Sequence, residues 1–245
     1  MALPLNAVDT GDDTDIVPWA NIGLIVANFL VFFYELSLSG GALTKFFHDF
    51  SLVPCEYTGH CAAYAGTPHP FWLTLFSSMF MHAGWAHILG NMLFLFVFGN
   101  HVERSMGHAR YLGFYLLCGL GASALEIATA VNSNVPGLGA SGAIAGVLAG
   151  FLVLYPAAKI GSLLPLGILY VPVRIPAWVF IGFWFLYQFF NGVAALNATG
   201  SQAAGGVAYW AHVGGFITGA LLVRLFSSSS RVQLVGASHA QTGLP

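Results

Sequence analysis

The sequence predicts an all-α membrane protein, a bundle of six transmembrane helices. Of its 245 residues, 57% are hydrophobic and only 7% are charged, and the mean hydropathy is +0.77. A soluble domain carries about a quarter charged residues, so most of this surface must face something other than water. Uncharged apolar stretches of the length that a bilayer requires also recur along the chain.

Six of these stretches are predicted to cross the membrane, since a transmembrane helix needs roughly 17 to 25 residues. The segment 160–174 is also apolar, but Pro165 and Pro172 interrupt it and Pro176 follows. We therefore expect a loop at the membrane surface there rather than a seventh span. The predicted spans are 17–35, 85–102, 109–130, 141–156, 177–195 and 208–225.

The basic residues predict the orientation of these spans. Six spans place both termini on one side, and of the 7 Lys and Arg residues only Lys45 falls on the other side. The positive-inside rule then predicts cytoplasmic termini in a plasma (inner) membrane. The N-terminus lacks a basic region followed by an apolar core, so no cleavable signal peptide is expected. Scarce Lys and Arg, with a net charge of −2, argue against a nucleic-acid partner.

We predict one domain between two tails. Residues 1–16 form an acidic cytoplasmic tail, residues 17–226 the transmembrane domain, and residues 227–245 a flexible cytoplasmic tail. The long loop after the first span contains Phe71–Phe80, an apolar segment expected to be a partly embedded helix. The loop Asn197–Gly206 is rich in Gly, Ala and Ser, which favours a mobile lid near Gly200–Gly206.

The three cysteines fall into two groups. Cys118 lies within a predicted span and is expected to be a buried, inert side chain. Cys55 and Cys61 lie in the long outer loop, where a disulfide and two free thiols are both compatible with the sequence. Metal binding by these cysteines with His60 is the weaker alternative.

Polar side chains near the outer ends of three spans indicate a functional site. Ser141 opens the fourth span, His212 opens the sixth, and His87 and Asn91 lie near the start of the second, with His82 just before it. These three spans run in the same direction, so the side chains lie at a similar depth. Polar groups inside a membrane are costly and usually functional, which makes this convergence informative.

The residues around Ser141 are typical of a loop that turns into a helix. Pro136 and Gly137 precede the element Gly139-Ala140-Ser141-Gly142, and an apolar run follows. A serine in the first helical turn lies beside free backbone N–H groups and the positive end of the helix dipole, as an oxyanion site requires. The alternative is that Ser141 only caps the helix.

Glycines predict that the fourth and sixth spans approach each other closely. Gly142, Gly146 and Gly150 repeat every four residues, and the sixth span has Gly215 and Gly219 below Ala211. Small residues let helix backbones come together, which would bring His212 to Ser141. Ordinary helix packing explains the same glycines.

A serine needs a base to take its proton, and histidine suits that task near neutral pH. Glu126 is the only acidic residue well inside a predicted span, and a carboxylate there would be costly to ionise. We therefore expect a Ser141–His212 dyad rather than a triad. His87 and Asn91 stand four residues apart on one helical face and are candidates for oxyanion stabilisation. His82 and Gly139 are possible supporting residues.

A metal-dependent hydrolase is the competing interpretation of these polar residues. It would use His82, His87 and His212 as ligands, with Glu126 as a further candidate ligand. The sequence lacks His-Glu-x-x-His, and Asn91 stands where a second histidine would be expected. Both observations weaken the metal interpretation, and sensitivity to a chelator would distinguish it from a serine enzyme.

These residues resemble the rhomboid proteases. The matching elements are Gly139-Ala140-Ser141-Gly142, Ala211-His212-Val213-Gly214-Gly215 and His82-x4-His87-x3-Asn91. The turn Gly99-Asn100-His101-Val102-Glu103-Arg104, followed by Gly107, is similar too. The resemblance runs from about Trp19 to Phe226, and the motifs fall in order on the second, fourth and sixth spans.

The resemblance implies an intramembrane serine endopeptidase with a minimal six-helix core and no metal or cofactor. Its partners would be the lipid bilayer and membrane-protein substrates, single-span or polytopic, entering beside the second and fifth spans. Ser141 would form an acyl-enzyme, His212 would move the proton, and His87, Asn91 and the Ser141 backbone N–H would hold the oxyanion. A non-catalytic rhomboid-like binding or transport protein is the further alternative; such proteins commonly lack the serine or the histidine, and both are present here.

Overall fold

The structure, a computed structural model, describes residues 2–10, 16–62, 72–166, 169–196 and 208–227. These residues form mainly α-helices around one buried apolar core, with a small sheet at one end. In chain order the elements are β1 (Leu3–Val8), α1 (Trp19–Ser37), α2 (Gly40–Phe50), α3 (Pro54–Thr58), α4 (Trp72–Ser77) with the 3-10 turn Ser78–Phe80, α5 (Trp85–Phe94) with the π-helical segment Leu95–Gly99, α6 (Asn100–Met106), α7 (His108–Thr129), α8 (Ser141–Leu154), β2 (Lys159–Leu166), β3 (Leu169–Pro176), α9 (Ala177–Leu196) and α10 (Tyr209–Phe226).

The helical, multi-pass character predicted from the sequence is confirmed. Among the described residues, the four helices α1, α7, α9 and α10 are long and apolar enough to cross a bilayer. A fifth candidate is the pair Trp72–Phe80 and Trp85–Met106, which is bent by 91°. The remaining predicted span is α8, whose 14 residues reach about 21 Å and fall short of a hydrocarbon core of roughly 30 Å.

The helix α8 is short because protein, not lipid, surrounds it. Every residue from Gly142 to Phe151 is buried. The non-helical chain before α8 is held by backbone hydrogen bonds: Leu52 and Gly137 exchange two bonds of 3.0 and 2.7 Å, and the Gly139 N–H donates to the Ser78 carbonyl at 2.8 Å. These bonds satisfy the non-helical backbone within the protein, as an irregular segment at membrane depth requires.

The predicted close approach of the fourth and sixth spans is present as a seam between α8 and α10. A Cβ atom added to Gly215 would overlap the carbonyl oxygen of Gly142, and one added to Gly219 would overlap the backbone of Gly146. A Cβ atom on Gly146 would come within 2.9 Å of the Gly215 carbonyl oxygen. The two backbones are therefore in direct contact over two helical turns.

The segment 160–174 is not the surface loop that the sequence predicted. Strands β2 and β3 form an antiparallel hairpin there, and β1 pairs with the other edge of β2. The sequence did not predict this hairpin because it contains prolines. A proline lacks a backbone N–H, so its presence normally argues against a paired strand. Here Pro165 pairs with Tyr170 close to the hairpin end and Pro172 lies in the edge strand β3, where a missing donor is tolerated.

The predicted N-terminal tail contributes β1 to this sheet, and its Asp9 pairs with Lys159 at 3.0 Å. The domain boundaries at residues 16 and 226 stay predictions. The predicted lid at Gly200–Gly206 lies outside the described residues.

Glu103, a residue of α6, holds the start of α1 by hydrogen bonds. The buried Glu103 carboxylate accepts hydrogen bonds from the backbone N–H groups of Ala20 at 2.9 Å and Asn21 at 2.6 Å. These are free donors in the first turn of α1, so the carboxylate caps that helix and complements its dipole. His108 contacts the same carboxylate at 2.5 Å.

The described parts of the long segment between α1 and α5 contain the helices α2, α3 and α4. Of the two alternatives that the sequence left open for Cys55 and Cys61, the structure has the disulfide. Cys118 is a buried free cysteine, as expected. The helix predicted at Phe71–Phe80 is present as α4 and its 3-10 turn, from Trp72 onward.

Candidate active site

The site is a cavity of about 710 Å³ between α5, α8, α9 and α10. The chain segment that precedes α8 forms part of its wall. Four of the predicted site residues line the cavity although they come from three different helices, and two residues of α9 join them. The polar and aromatic side chains on its wall include His87, Asn91, Ser141, Trp184, Gln188 and His212.

Ser141 and His212 are within hydrogen-bonding distance in this cavity. The Ser141 Oγ lies 2.8 Å from Nε2 of His212. Ser141 is the first residue of α8, where backbone N–H groups lack helical acceptors, and His212 lies in the first turn of α10. The glycine seam below them sets the separation of the two helices, so the backbone contact brings the two side chains together.

The other nitrogen of His212 contacts a residue that sequence reasoning missed. Nδ1 of His212 lies 2.8 Å from the Oε1 atom of Gln188, whose side chain is buried against α10. The Trp184 ring, one turn earlier on α9, packs beside the imidazole with ring centroids 5.7 Å apart. A buried amide in an otherwise apolar span is a signal that could have singled out Gln188.

Glu126 is hydrogen-bonded to the start of α10 but not to His212. Its Oε2 atom accepts a hydrogen bond from the backbone N–H of Ala211 at 3.1 Å. This N–H belongs to the first turn of α10, so the carboxyl group caps the helix that carries His212. The third position beside the histidine is therefore occupied by an amide rather than a carboxyl group.

Asn91 is held by His82. The Asn91 Nδ2 atom lies 2.9 Å from Nε2 of His82, which leaves the second amide hydrogen of Asn91 for the cavity. The backbone N–H of His82 donates in turn to the Glu35 carboxylate, at 3.2 and 3.3 Å. His82 is 1% exposed and does not line the cavity, so it contacts the site through Asn91 and through the His87 ring, whose centroid lies 5.0 Å from that of His82.

His87 faces the cavity beside Gly139. The backbone of Gly139 has φ +127°, a region that favours glycine, and an added Cβ atom would come within 2.8 Å of the His87 ring. Nδ1 of His87 faces the backbone N–H of Ala83 at 3.5 Å, so Nε2 is the nitrogen turned toward Gly139 and the cavity. Gly139 therefore provides room for His87 at the approach to Ser141.

The ligands that the metal interpretation requires are not assembled in the described part of the chain. No group of three or more His, Cys, Asp and Glu side chains there is close enough to hold a metal ion. Nε2 of His82 faces Asn91, and the two nitrogens of His212 face Gln188 and Ser141.

Fold and site together define a multi-pass membrane protein with a half-buried serine and a buried histidine in contact at the N-terminal ends of two helices. Residues 69–229 match the family model of the Rhomboid domain, which is more than half of the chain. The chain belongs to the rhomboid family.

Curated relatives agree with this assignment. The chain is 33% identical over 151 residues to "Rhomboid protease GluP" of Bacillus subtilis, covering 62% of this chain and 26% of the relative. It is 31% identical over 161 residues to "Rhomboid protease AarA" of Providencia stuartii, covering 59% of this chain and 52% of the relative. It is 32% identical over 155 residues to "Rhomboid protein 1, mitochondrial" of Saccharomyces cerevisiae, covering 61% of this chain and 40% of the relative. The matches thus span only about a quarter to a half of these relatives.

Proposed function

We propose that this protein is an intramembrane serine endopeptidase that cleaves transmembrane segments of other membrane proteins. The observation that carries the proposal is the contact of 2.8 Å between Ser141 Oγ and His212 Nε2 on the wall of the cavity. Membership of the rhomboid family supports it, as do the names of the bacterial relatives.

In the proposed reaction, Ser141 Oγ attacks the scissile carbonyl carbon while its proton passes to His212 Nε2. The tetrahedral intermediate collapses to an acyl-enzyme, and the imidazolium gives its proton to the leaving amine. Water then enters, loses a proton to His212 and attacks the acyl carbon. The bond from that carbon to Ser141 Oγ breaks, the imidazolium returns its proton to Oγ, and the new carboxyl group leaves. Every proton and electron pair is accounted for by the two side chains, the peptide and one water molecule.

The oxyanion is assigned to donors around Ser141. The Ser141 backbone N–H, the Asn91 amide and His87 are the proposed donors, with His82 holding the Asn91 amide in place. Donors fixed in advance around a developing charge supply one of the largest contributions to catalysis. Gly139 takes the supporting role of leaving room for His87.

The proposed topology places the cavity near the outer face and both termini in the cytoplasm. The disulfide between Cys55 and Cys61 supports this orientation, because disulfides form in oxidising compartments and these cysteines belong to the loop assigned to the outer side. A substrate helix would enter between α5 and α9, which both line the cavity, and would have to unwind locally to expose a peptide bond.

The test is cleavage of a single-span model substrate by the purified protein in liposomes, compared with Ser141→Ala. We expect Ser141→Ala and His212→Ala each to lower the rate by a factor of 1,000 or more. The two residues act as a unit, so removing either one removes the catalytic contribution of both. EDTA should leave the wild-type rate unchanged.

Three results would contradict this proposal. Cleavage that persists in Ser141→Ala would exclude the serine as nucleophile, and inhibition by EDTA would favour the metal interpretation. If the wild type cleaves no member of a substrate panel and a fluorophosphonate probe leaves Ser141 unlabelled, the non-catalytic alternative replaces the protease.

A further inference from the structure

The contact between Gln188 and His212 bears on which nitrogen of the histidine carries the proton. A neutral imidazole has one N–H and one acceptor nitrogen. To take a proton from Ser141, Nε2 must be the acceptor, so the hydrogen must reside on Nδ1. The neighbour of Nδ1 therefore decides whether His212 can act as a base.

Gln188 presents its carbonyl oxygen, and not its NH2 group, to this nitrogen. Oε1 lies 2.8 Å from Nδ1, and Oε1 can only accept a hydrogen bond. An acceptor at this place stabilises the Nδ1–H form, which leaves Nε2 free to accept from the Ser141 hydroxyl. It also accepts from the imidazolium that forms during the reaction.

Burial makes this single contact decisive. His212 is 8% exposed and Gln188 is 6% exposed, so water has little access to compete for Nδ1. The other titratable groups nearby come from α5 and α7: His87 lines the same cavity, and Glu126 is engaged by the Ala211 N–H. Within the described residues, neither is hydrogen-bonded to His212 Nδ1, which faces Gln188.

We propose that Gln188 is a positioning residue that fixes His212 as the Nδ1–H tautomer and holds its ring against Ser141. The inference rests on the proposed protease function for its catalytic consequence, but the tautomer itself is a property of the resting protein. The orienting group that a carboxylate supplies in a Ser–His–Asp triad is thus supplied here by a neutral amide from α9.

The variants that test this keep the size of the side chain and change its hydrogen bonding. Gln188→Met removes the acceptor at nearly constant volume, and Gln188→Glu restores one. Asn191→Leu is the matched control, because Asn191 lies one turn further along α9 and its amide returns to the Tyr187 carbonyl of the same helix at 2.6 Å.

For cleavage of the model substrate, we expect Gln188→Met to lower kcat roughly 10- to 100-fold, by analogy with metal-ligating histidines that lose the hydrogen-bond partner of their other ring nitrogen. KM should change by no more than about threefold, since the loss falls on the chemical step. Gln188→Glu should recover most of the lost kcat, and Asn191→Leu should behave like the wild type. A Gln188→Met rate equal to that of the control would overturn the proposal.

A second measurement does not depend on activity. Nitrogen NMR of protein labelled with 15N-histidine in detergent distinguishes protonated from unprotonated ring nitrogens, and the His212 signals are assigned by their loss in His212→Ala. We expect Nδ1 protonated and Nε2 unprotonated in the wild type and in Gln188→Glu, and a shift toward the Nε2–H form in Gln188→Met.

The two measurements distinguish the positioning role of Gln188 from the protease function. An Nε2–H form in the wild type, or an unchanged tautomer in Gln188→Met, would overturn the role of Gln188 whatever the protein cleaves. The expected tautomers in a protein that cleaves nothing would leave the role of Gln188 standing and contradict the protease function. If Gln188→Met does not fold, as judged by thermal unfolding, Gln188→Leu replaces it with the same expectations.

Discussion

The two sides of α10 are packed in different ways. Toward α7 and α8, α10 presents glycines, and its backbone touches theirs: an added Cβ atom on Gly215 or Gly219 would overlap the backbone of α8, and one on Gly214 would come within 2.6 Å of the Gly121 carbonyl oxygen. At these three glycines the helix backbones themselves are in contact, while elsewhere the side chains of Thr218 and Val223 pack against Gly121 of α7 and Gly150 of α8. The relative position of the helices is therefore set at the three glycines by atoms that cannot move aside.

Toward α9, α10 is held by side chains. His212 contacts Gln188, the Trp210 indole donates to the Gly192 carbonyl at 3.1 Å, and Phe216 stacks on Phe185 with ring centroids 4.4 Å apart. Much of the rest of α9 carries exposed apolar side chains such as those of Phe183 and Phe190. The lipid-facing helix α9 is thus attached to the core through rotatable groups.

The difference separates two tasks within one site. The glycine seam fixes how close Ser141 and His212 come, whereas the α9 contacts fix the orientation of the imidazole. Substitutions on the first side should therefore cost much stability. Those on the second side should cost little stability, and they should change the reaction only where they touch the imidazole.

The largest expected effect is a loss of stability caused by a substitution in the glycine seam between α8 and α10. Gly215→Ala should lower the free energy of unfolding by about 3 kcal/mol or more, because the new methyl group overlaps backbone atoms of α8 that cannot rotate away. Unfolding by SDS titration or by heat in detergent measures it. Gly182→Ala on α9 is the matched control: an added Cβ atom there meets nothing within 4 Å, so we expect no loss and a gain of up to about 1 kcal/mol. Equal losses in both variants would contradict the comparison.

A smaller effect is expected where α7 caps α10. Glu126→Leu removes the acceptor of the Ala211 N–H and should cost about 1 kcal/mol, as the loss of a helix cap does. Glu126→Gln keeps an acceptor oxygen and should stay within about 0.5 kcal/mol of the wild type. The same unfolding measurement applies, and a Gln variant as unstable as the Leu variant would show that the charge, and not the cap, is what matters.

The smallest effect is expected for the α9 tether at Trp210. Trp210→Phe removes one half-buried hydrogen bond to Gly192 and should cost about 0.5 to 1 kcal/mol. The cleavage rate of the same variant should stay within a factor of two or so of the wild type, because the tether does not touch the imidazole. A loss comparable to that of Gly215→Ala would mean that α9 is fixed as rigidly as the seam.

Parts of the fold could be predicted because their signals are local. Long apolar runs with few charged residues identify α1, α7, α9 and α10, since a bilayer core requires about 20 predominantly apolar residues. Two elements could not be predicted from the sequence, for physical reasons. The β2–β3 hairpin contains prolines that mask its strands, and the length of α8 depends on the protein around it rather than on the bilayer.

In the candidate site, Ser141, His212, His87 and Asn91 could be singled out because polar groups at the starts of apolar spans are rare and belong to short motifs. Their shared cavity follows from three helices that run in the same direction. Gln188 belongs to no recognisable motif. Its contact with His212 exists only once α9 packs against α10, so the sequence did not single it out.

The sequence by itself determined that this protein lives in a membrane, which helices carry its polar residues and which family it resembles, because composition and motif order are properties of the chain alone. The tertiary structure decided what those residues do to one another: Gln188 faces Nδ1 of His212, Glu126 caps α10, and His82 holds Asn91. These relations join residues far apart in the chain, and hydrogen bonds depend on distances of tenths of an ångström that only helix packing sets.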